Sequence, residues 1–353
     1  MKRLFRLLLK ILKWAGIVLL GILVIFLIVR FIGKRINSKT PDGGINETFY
    51  ADINGTQQWI SIYGQNTDNP VLLYLHGGPG EATSFFDYAF TRKWSDVYTV
   101  VTWDQRNCGK SFSKDQCDDP LTYDILMKDG EEVTKLILQH LNKEKLTILG
   151  HSWGSIYGCN LVMAHPEYYD AYIGTGQLID FRKNEEAFKK EAAKWTEGDK
   201  EGLALLGKLQ GDEFTMEYAQ ARNALMKRYG YDMLADGADY SIGAAVIFNP
   251  YYSIGDFAKM LTYDFTPYLN FINSDEFARF SLTGRNHYEV PFYNINGDKD
   301  YQTNHILAEE YFDTVEAPYK KLYIMKGSTH GLLETRSGEF SDIIHEIASD
   351  TRS

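Results

Sequence analysis

Ser152 stands between two glycines in the run Gly150-His151-Ser152-Trp153-Gly154, and its surroundings limit what the chain can fold into. The apolar run LTILG (146–150) precedes it. The segment SIYGCNLVMAHP (155–166) follows with helical character and stops at a proline. A strand, a sharp turn and a helix form the context in which a serine hydroxyl is pushed out of a sheet as a nucleophile. The motif alone also fits an ordinary glycine-rich loop, so the rest of the chain must distinguish the two.

Further β-rich segments recur along the chain, and each ends in a polar, glycine-containing loop. They are VLLYLHGGPG (71–80), YTVVTWDQRNCGKS (98–111), YDAYIGTGQ (169–177), VPFYNINGDKD (290–300) and KKLYIMKGSTH (320–330). Helical stretches such as residues 123–141 lie between most of them. Alternating strands and helices predict an α/β fold with a mostly parallel sheet covered by helices on both faces. Such a sheet places its functional site in the loops at the carboxyl ends of the strands.

Taken together, LHGGPG, WDQRNCGKS, GHSWGS, the acid turn GDKD and the late STH resemble the α/β-hydrolase fold and, within it, the proline iminopeptidase group. The resemblance covers roughly residues 45–180 and 288–350. It implies a serine hydrolase that works through an acyl-enzyme, with nucleophile, acid and histidine in that chain order. It implies no metal and no organic cofactor.

Ser152 is the predicted nucleophile, and His330 at the end of the last predicted strand is the predicted base. Two other histidines compete for the second role. His76 belongs to the HGGPG loop, where the resemblance implies a structural use. His151 adjoins Ser152 in sequence, and neighbouring side chains on such a turn point apart.

The acid and the oxyanion donors come from the same resemblance. Asp298 and Asp300 both lie in NGDKDYQ, and the spacing of the family's acid turn selects Asp300 to orient the histidine. Asp298 is then expected to be a solvated turn residue. The backbone N–H groups of Trp153 and Gly78 are the expected oxyanion hole.

The loop DQRNCG carries residues for which a structural role is the better interpretation. Asp104 and Arg106 are expected to form an ion pair that fixes this loop against the site. Cys108 is close enough in sequence to Cys117 to form a disulfide if the domain faces an oxidising space. Cys159 is expected to be a buried, small apolar residue.

A long polar and helix-rich stretch lies between the predicted β segments YDAYIGTGQ (169–177) and VPFYNINGDKD (290–300). It predicts a cap over the site. The cap of proline iminopeptidases holds a segment resembling A-R-I-E-N-H-Y-F, whose glutamate grips the free amine of the peptide. The closest stretch here is AVIFNPYYS (245–253), in which Phe248 replaces that glutamate. Phe248 is therefore the candidate substrate-binding position, and Glu213 or Glu217 could supply the missing charge. The expected units are an N-terminal segment 1–36, a hydrolase core 40–177 and 287–353, and a cap 178–286.

The N-terminus differs from the rest in charge and hydropathy. Residues 1–35 hold eight Lys and Arg and no acid, whereas the remainder has 29 basic against 47 acidic residues. An apolar run at 14–29 is long enough, with its flanking cations, to cross a bilayer. A cleaved signal peptide is the alternative, but no small-residue cleavage site follows. The excess of cations before the run predicts a single-pass anchor with the hydrolase domain outside the cytoplasm. The acidic remainder has no basic stripe, which argues against nucleic acid as a partner.

Three functions remain open at this point. The preferred one is release of N-terminal proline or small residues from short peptides. The alternative is a carboxylester hydrolase or lipase-like enzyme that acts on small acyl esters. A non-catalytic hydrolase fold used for binding is the third.

Overall fold

The computed structural model describes residues 2–116, 120–211 and 215–351. Its strands are β1 (Ile45–Ile53), β2 (Thr56–Gly64), β3 (Val71–Leu75), β4 (Thr99–Trp103), β5 (Leu146–His151), β6 (Tyr169–Thr175), β7 (Phe292–Gly297) and β8 (Lys320–Met325). Its helices are α1 (Lys2–Asn37), α2 (Tyr88–Thr91), α3 (Tyr123–Leu141), α4 (Trp153–Ala164), α5 (Phe181–Trp195), α6 (Lys200–Lys208), α7 (Met216–Tyr229), α8 (Ile242–Ile247), α9 (Ile254–Met260), α10 (Thr266–Ile272), α11 (Asp275–Ala278), α12 (His305–Thr314), α13 (Leu332–Thr335) and α14 (Ser337–Asp350).

The strands form one sheet in the order β1-β2-β4-β3-β5-β6-β7-β8. The first two pairings, β1 with β2 and β2 with β4, are antiparallel, and the remaining pairings are parallel. Strand β3 reads VLLYL and is buried along its whole length, as expected for a parallel strand covered on both faces. The predicted mostly parallel α/β sheet is therefore confirmed.

Each face of the sheet has its own apolar core. Leu73 and Ile148 pack with residues of α3 and α4 on one face. Leu72 and Leu149, their neighbours along the same strands, pack on the other face with residues of α2 and α14. Alternation of side chains along a strand explains why adjacent leucines serve opposite layers.

The hairpin β1–β2 was not among the predicted strands. Its two strands pair from Ile45 with Gly64 to Ile53 with Thr56. The two-residue turn is Asn54-Gly55, and both residues have positive φ, 47° and 82°. Asn-Gly is the preferred sequence of such hairpin turns. The segment INETFYADI contains many polar residues and was therefore not predicted as a strand. The Asn-Gly dipeptide that follows it does indicate a hairpin.

Helices α5 to α11 lie in the chain between β6 and β7, so the predicted helical insertion between sheet strands is present. Three of them share a small core of their own, built around Phe188, Leu225 and Met226. Helix α7 ends where Gly230 adopts the left-handed conformation with φ 73°, as its sequence predicts.

Helix α1 contains the one candidate membrane span among the described residues, with a mean hydropathy of 2.9 over its most apolar window. None of that window is buried in the protein. Its length and composition fit either a membrane span or a signal sequence.

A buried ion pair ties the loop after β4 to helix α3. Arg106 donates from Nε and Nη2 to the carboxylate of Asp129 at 2.5 and 2.7 Å. Asn54 and Gln58 donate to the same carboxylate, both at 2.9 Å. The expected ion pair of Arg106 with Asp104 is therefore wrong, because the guanidinium is turned toward the helix.

Replacing Asp129 by Ala should lower the free energy of unfolding by about 3–5 kcal/mol, because the Arg106 charge would stay buried without its partner. Urea unfolding followed by tryptophan fluorescence measures the change. Asp124→Ala on the same helix is the control, since Asp124 is 66% exposed in its pair with Arg279 and should cost less than about 1 kcal/mol. Similar losses for the two variants would contradict the assigned role.

Candidate active site

The strand order brings the predicted site loops to one edge of the sheet. Strands β3, β5, β6, β7 and β8 are consecutive neighbours and parallel. The HGGPG loop, the serine turn, Asp300 and His330 follow the carboxyl ends of β3, β5, β7 and β8. Residues far apart in sequence therefore meet at this edge, where open α/β sheets hold their ligands.

The turn at Ser152 is sharp and its backbone is strained. Ser152 has φ 55° and ψ −120°, a conformation that side-chain-bearing residues rarely adopt. A β-carbon on Gly150 would lie 2.2 Å from the carbonyl oxygen of Gly154, and one on Gly154 would lie 2.1 Å from that of Leu75. Both glycines are needed because the two ends of the turn contact each other and the backbone of β3, which leaves no room for a side chain. The Ser152 N–H donates to the Thr175 carbonyl at 3.0 Å and so links the turn to β6.

The predicted acid and base form a hydrogen bond. His330 Nδ1 lies 2.8 Å from Asp300 Oδ2, and both side chains are buried. Thr303 supports the acid by donating from Oγ1 to Oδ2 and from its backbone N–H to Oδ1, both at 3.0 Å. Although burial opposes ionisation, the charge of His330 and these hydrogen bonds hold the pKa of Asp300 below its ordinary value. The carboxylate is therefore ionised at neutral pH.

Gly176, after β6, explains how His330 can lie so close to the sheet. A β-carbon at this position would be 2.8 Å from His330 Cε1 and 3.3 Å from Asp300 Oδ2. Its φ of 52° also favours glycine. Neither Gly176 nor Thr303 was singled out in the sequence, although a threonine three residues after an aspartate is a common local hydrogen-bonding partner.

The competing histidines and Asp298 have other roles. Burial lowers the pKa of His76 to about 4, and burial together with His330 lowers that of His151 to about 3. His76 Nε2 accepts from the N–H of Gln105, and His151 Nε2 lies 3.2 Å from the His330 carbonyl. Asp298 is half-buried and accepts from the N–H of Gly327 at 2.6 Å. Each of the three therefore holds a loop in place.

Gln105 joins the two segments that carry the predicted oxyanion donors, Gly78 and Trp153. Gly78 has φ 117°, which favours glycine. The Trp153 indole donates to Gln105 Oε1 at 2.9 Å, and Gln105 Nε2 donates to the His76 carbonyl at 3.2 Å. Gln105 thus links the turn after β5 to the loop after β3. The sequence did not single out this glutamine, since its role depends on contacts between three separate loops.

A cavity of about 270 Å³ opens above Ser152. Its lining is mainly apolar and comes from the turns below and the insertion above: Gly78, Pro79, Ser152, Leu178, Phe181, Asn184, Glu185, Thr215, Met216, Ala219, Phe265, Leu269, Ile272, Phe277, Gln302 and Thr303. Met216 is 71% exposed, so the cavity reaches the surface beside α7. Its volume lies near the lower end of the range for ligand pockets.

Among the described residues that line this cavity, Glu185 alone carries a carboxylate. The side chain of Glu185 on α5 is 3% exposed and pairs with Arg222 of α7, whose Nε donates to Oε2 at 3.0 Å. Tyr218 donates to the same oxygen at 2.7 Å, while Oε1 has the Asn184 amide at 3.4 Å. The sequence missed this pair because its partners lie on separate helices with no motif to connect them.

The expectation for Phe248 must be corrected. Phe248 is not among the residues that line the cavity, and its ring lies against Gly33 of α1. Of the alternative acids, Glu217 is exposed and pairs with Lys208 at 3.4 Å. Glu213 lies outside the described residues.

Cys108 and Cys159 do not line the cavity. Cys108 and Cys159 are buried and carry free thiols, and Cys108 donates to the Gln105 carbonyl at 3.0 Å. Cys117, the possible partner of Cys108 in a disulfide, lies outside the described residues. Within residues 2–116, 120–211 and 215–351, no group of three or more His, Cys, Asp and Glu could hold a metal ion.

Comparison with known proteins agrees with this geometry. The α/β-hydrolase fold family matches residues 70–335. A protein named as a probable aminopeptidase of Bacillus subtilis is 28% identical over 285 residues, which cover 79% of this chain and 88% of the relative. A proline iminopeptidase of Lactobacillus helveticus is 26% identical over 186 residues, covering 51% of this chain and 60% of that protein.

The crystal structure of a Mycobacterium smegmatis proline iminopeptidase shares the fold. It superposes with a TM-score of 0.62 at 18% identity, and the match covers 86% of this chain and 98% of that one. The family match covers most of the residues that build the sheet and the site. The chain therefore belongs to the α/β-hydrolase fold family and is similar to proline iminopeptidases.

Proposed function

We propose that this chain is a membrane-anchored serine hydrolase that releases an N-terminal proline or another small residue from short peptides. The observation that supports this most is the combination, in one cavity, of Ser152 on a strained turn with the carboxylate of Glu185. A nucleophile cleaves the bond, and a fixed negative charge can hold the ammonium group of a peptide's first residue. The modest cavity volume suits a small first residue.

The hydrogen bond between Asp300 and His330 supports an acyl-enzyme mechanism. A carboxylate only accepts, so His330 Nδ1 carries the proton and Nε2 presents a lone pair. In this mechanism Nε2 takes the Ser152 proton as Oγ attacks the peptide carbonyl carbon. The N–H groups of Gly78 and Trp153 stabilise the oxyanion. His330 then protonates the leaving amine as the C–N bond breaks.

Hydrolysis of the acyl-enzyme completes the reaction. Water attacks the ester carbon and gives its proton to His330 Nε2. The ester bond breaks, Ser152 recovers its proton from His330, and the free amino acid leaves. The ionised Asp300 stabilises the histidine cation that forms in each half of the cycle.

Substrate recognition is assigned to Glu185. Its Oε2 already accepts from Arg222 and Tyr218, whereas Oε1 has, within the described part of the chain, one distant amide neighbour at 3.4 Å. A carboxylate oxygen can accept two hydrogen bonds, so Oε1 has capacity for a substrate ammonium.

Ester hydrolysis is the second candidate, and a specific observation favours it. The guanidinium of Arg222 neutralises Glu185, and most of the cavity lining is apolar. A neutral wall of this kind suits an acyl chain better than a cation. The two candidates share the nucleophile and differ in what Glu185 contributes.

The N-terminal helix is assigned as an uncleaved anchor, with the hydrolase domain on the outer side of the membrane. Helix α1 is continuous through the apolar run into Asn37. Five cations precede the apolar run, which favours a cytoplasmic N-terminus.

Asp300→Asn should lower kcat by about 10³- to 10⁴-fold, because an amide favours the wrong histidine tautomer. Asp298→Asn is the matched control and should change kcat little, since Asp298 contacts a neighbouring loop. Steady-state hydrolysis of p-nitrophenyl butyrate measures both, with Ser152→Ala as the reference for complete loss. A larger effect at Asp298 would show that the other carboxylate orients the base.

Glu185→Gln should raise KM for a prolyl naphthylamide by about 10- to 100-fold, because a hydrogen bond to a charged group contributes about 1.5–3 kcal/mol. Hydrolysis of p-nitrophenyl butyrate by the same variant should stay within about threefold. Glu186→Gln, at the exposed neighbouring position, is the control. Equal losses on the two substrates would reject amine recognition by Glu185, and turnover of the ester alone by the unaltered protein would favour the second candidate.

External protease added to intact cells should digest the hydrolase domain without lysis, because the cation bias places it outside. Immunoblotting against the C-terminal region measures the loss, with a cytoplasmic protein as the protected control. Protection of the domain until lysis would reverse the orientation. A released protein that begins after the apolar run would indicate a cleaved signal instead.

A further inference from the structure

The end of helix α1 is bound to the cap. Arg30 Nη2 and Lys34 Nζ both donate to the Tyr252 carbonyl, at 3.0 and 2.5 Å. One turn further, Asn37 Nδ2 donates to the Phe248 carbonyl at 3.0 Å. These bonds join the helix to the segment that leads into α9.

Close packing accompanies the hydrogen bonds. The Phe248 ring lies so near Gly33 that a β-carbon there would be 2.3 Å from Phe248 Cδ1. Arg92 Nη1 donates to the Asn37 carbonyl at 2.7 Å. This bond and the contacts with the cap fix the direction in which α1 leaves the domain.

The same contacts fix the position of the cap along the axis of α1, close to the end of the apolar run. That run ends at Val29, and Arg30 is the first charged residue after it. Cations that flank a membrane span lie at the boundary between hydrocarbon and water. Because Arg30 reaches the Tyr252 carbonyl, Tyr252 and the start of α9 lie within one side-chain length of that boundary.

Helix α9 presents apolar side chains at this level. Ile254 at its start is 61% exposed, and Leu261 directly after its end is 90% exposed. The ring of Phe257, half-buried between them, lies 5.8 Å from the Arg30 guanidinium. Ser253 and Asp256 form a capping box that fixes the beginning of the helix. A short helix with exposed Ile and Leu beside a membrane boundary has the character of an interfacial element.

The charges near α9 fit a lipid surface. Arg35, in the last turn of α1, and Lys39, just after the helix, are exposed, and cations close to a bilayer are attracted to anionic headgroups. The acid of α9, Asp256, is paired with Lys110 at 3.0 Å. The charge of Asp256 is therefore neutralised, whereas Asp264, three residues after Leu261, is exposed.

We propose that α9 and Leu261 rest in the interfacial layer of the same bilayer that α1 spans, so that the cap lies on the membrane surface. This proposal rests on the proposed anchoring by α1. Leu261 is four residues before Phe265, which lines the Ser152 cavity, and four residues of chain span no more than about 15 Å. The contact therefore holds the cavity close to the lipid surface.

A fluorophore placed at single cysteines of the full chain tests the contact. The environment-sensitive dye NBD is attached at Leu261→Cys, at Leu203→Cys and at Ile22→Cys. Each variant also carries Cys117→Ser, so that the dye does not label the native Cys117. Leu203, on α6, is 50% exposed and serves as the control away from α1. Ile22, in the apolar run of α1, reports insertion of the anchor. The proteins are reconstituted in vesicles of phosphatidylcholine and phosphatidylglycerol that contain spin-labelled phosphatidylcholine.

The proposal expects strong quenching at positions 22 and 261 and little at 203. Quenching at 22 with position 261 no more quenched than 203 would overturn the cap contact and leave the anchor intact. A blue-shifted but unquenched signal at 261 would overturn the contact as well, because protein rather than lipid would then cover the site. No quenching at either 22 or 261 would overturn the anchor and the cap contact together.

Discussion

At the carboxyl edge of the sheet, backbone segments approach each other so closely that no side chain fits between them. These contacts set the geometry of the loops. The turn after β5 is pressed against the end of β3, so that a β-carbon at Gly154 would lie 2.1 Å from the Leu75 carbonyl oxygen. This contact fixes Ser152 relative to the loop that begins at His76. Gly176 allows a similar approach of His330 to the end of β6. Glycine is required in each case because any side chain would push neighbouring loops apart.

Polar networks behind this edge make the loops rigid. Gln105 joins the HGGPG loop to the serine turn through His76 and Trp153. Asp104 accepts from the Ser84 hydroxyl and the Lys110 N–H, and burial raises its pKa to about 7. Buried groups that satisfy one another in this way hold one arrangement of the loops. The sheet thus positions Ser152, Asp300 and His330, while the insertion supplies most of the described cavity wall.

The insertion also contacts α1. The cap surface at Phe248 and Tyr252 is bound to the end of the apolar helix, and a short stretch of chain connects it to the cavity lining at Phe265. Under the proposed anchoring by α1, one segment both lines the cavity and contacts the membrane anchor.

The parallel sheet, the bounds of α3 and the loops that carry Ser152, Asp300 and His330 could all be predicted from local sequence patterns. This was possible because buried strands and tight turns each need a local pattern of apolar residues and glycines. The hairpin β1–β2 was missed although its Asn-Gly turn was visible, since its exposed strand is largely polar.

Which distant side chains meet could not be predicted, because it depends on the packing of the folded chain. Arg106 pairs with Asp129 rather than with Asp104, Glu185 of α5 reaches Arg222 of α7, and Phe248 faces α1 instead of the cavity. Such contacts depend on how helices pack on the sheet and on one another. No local pattern encodes that packing, because it is set by the fit of whole surfaces.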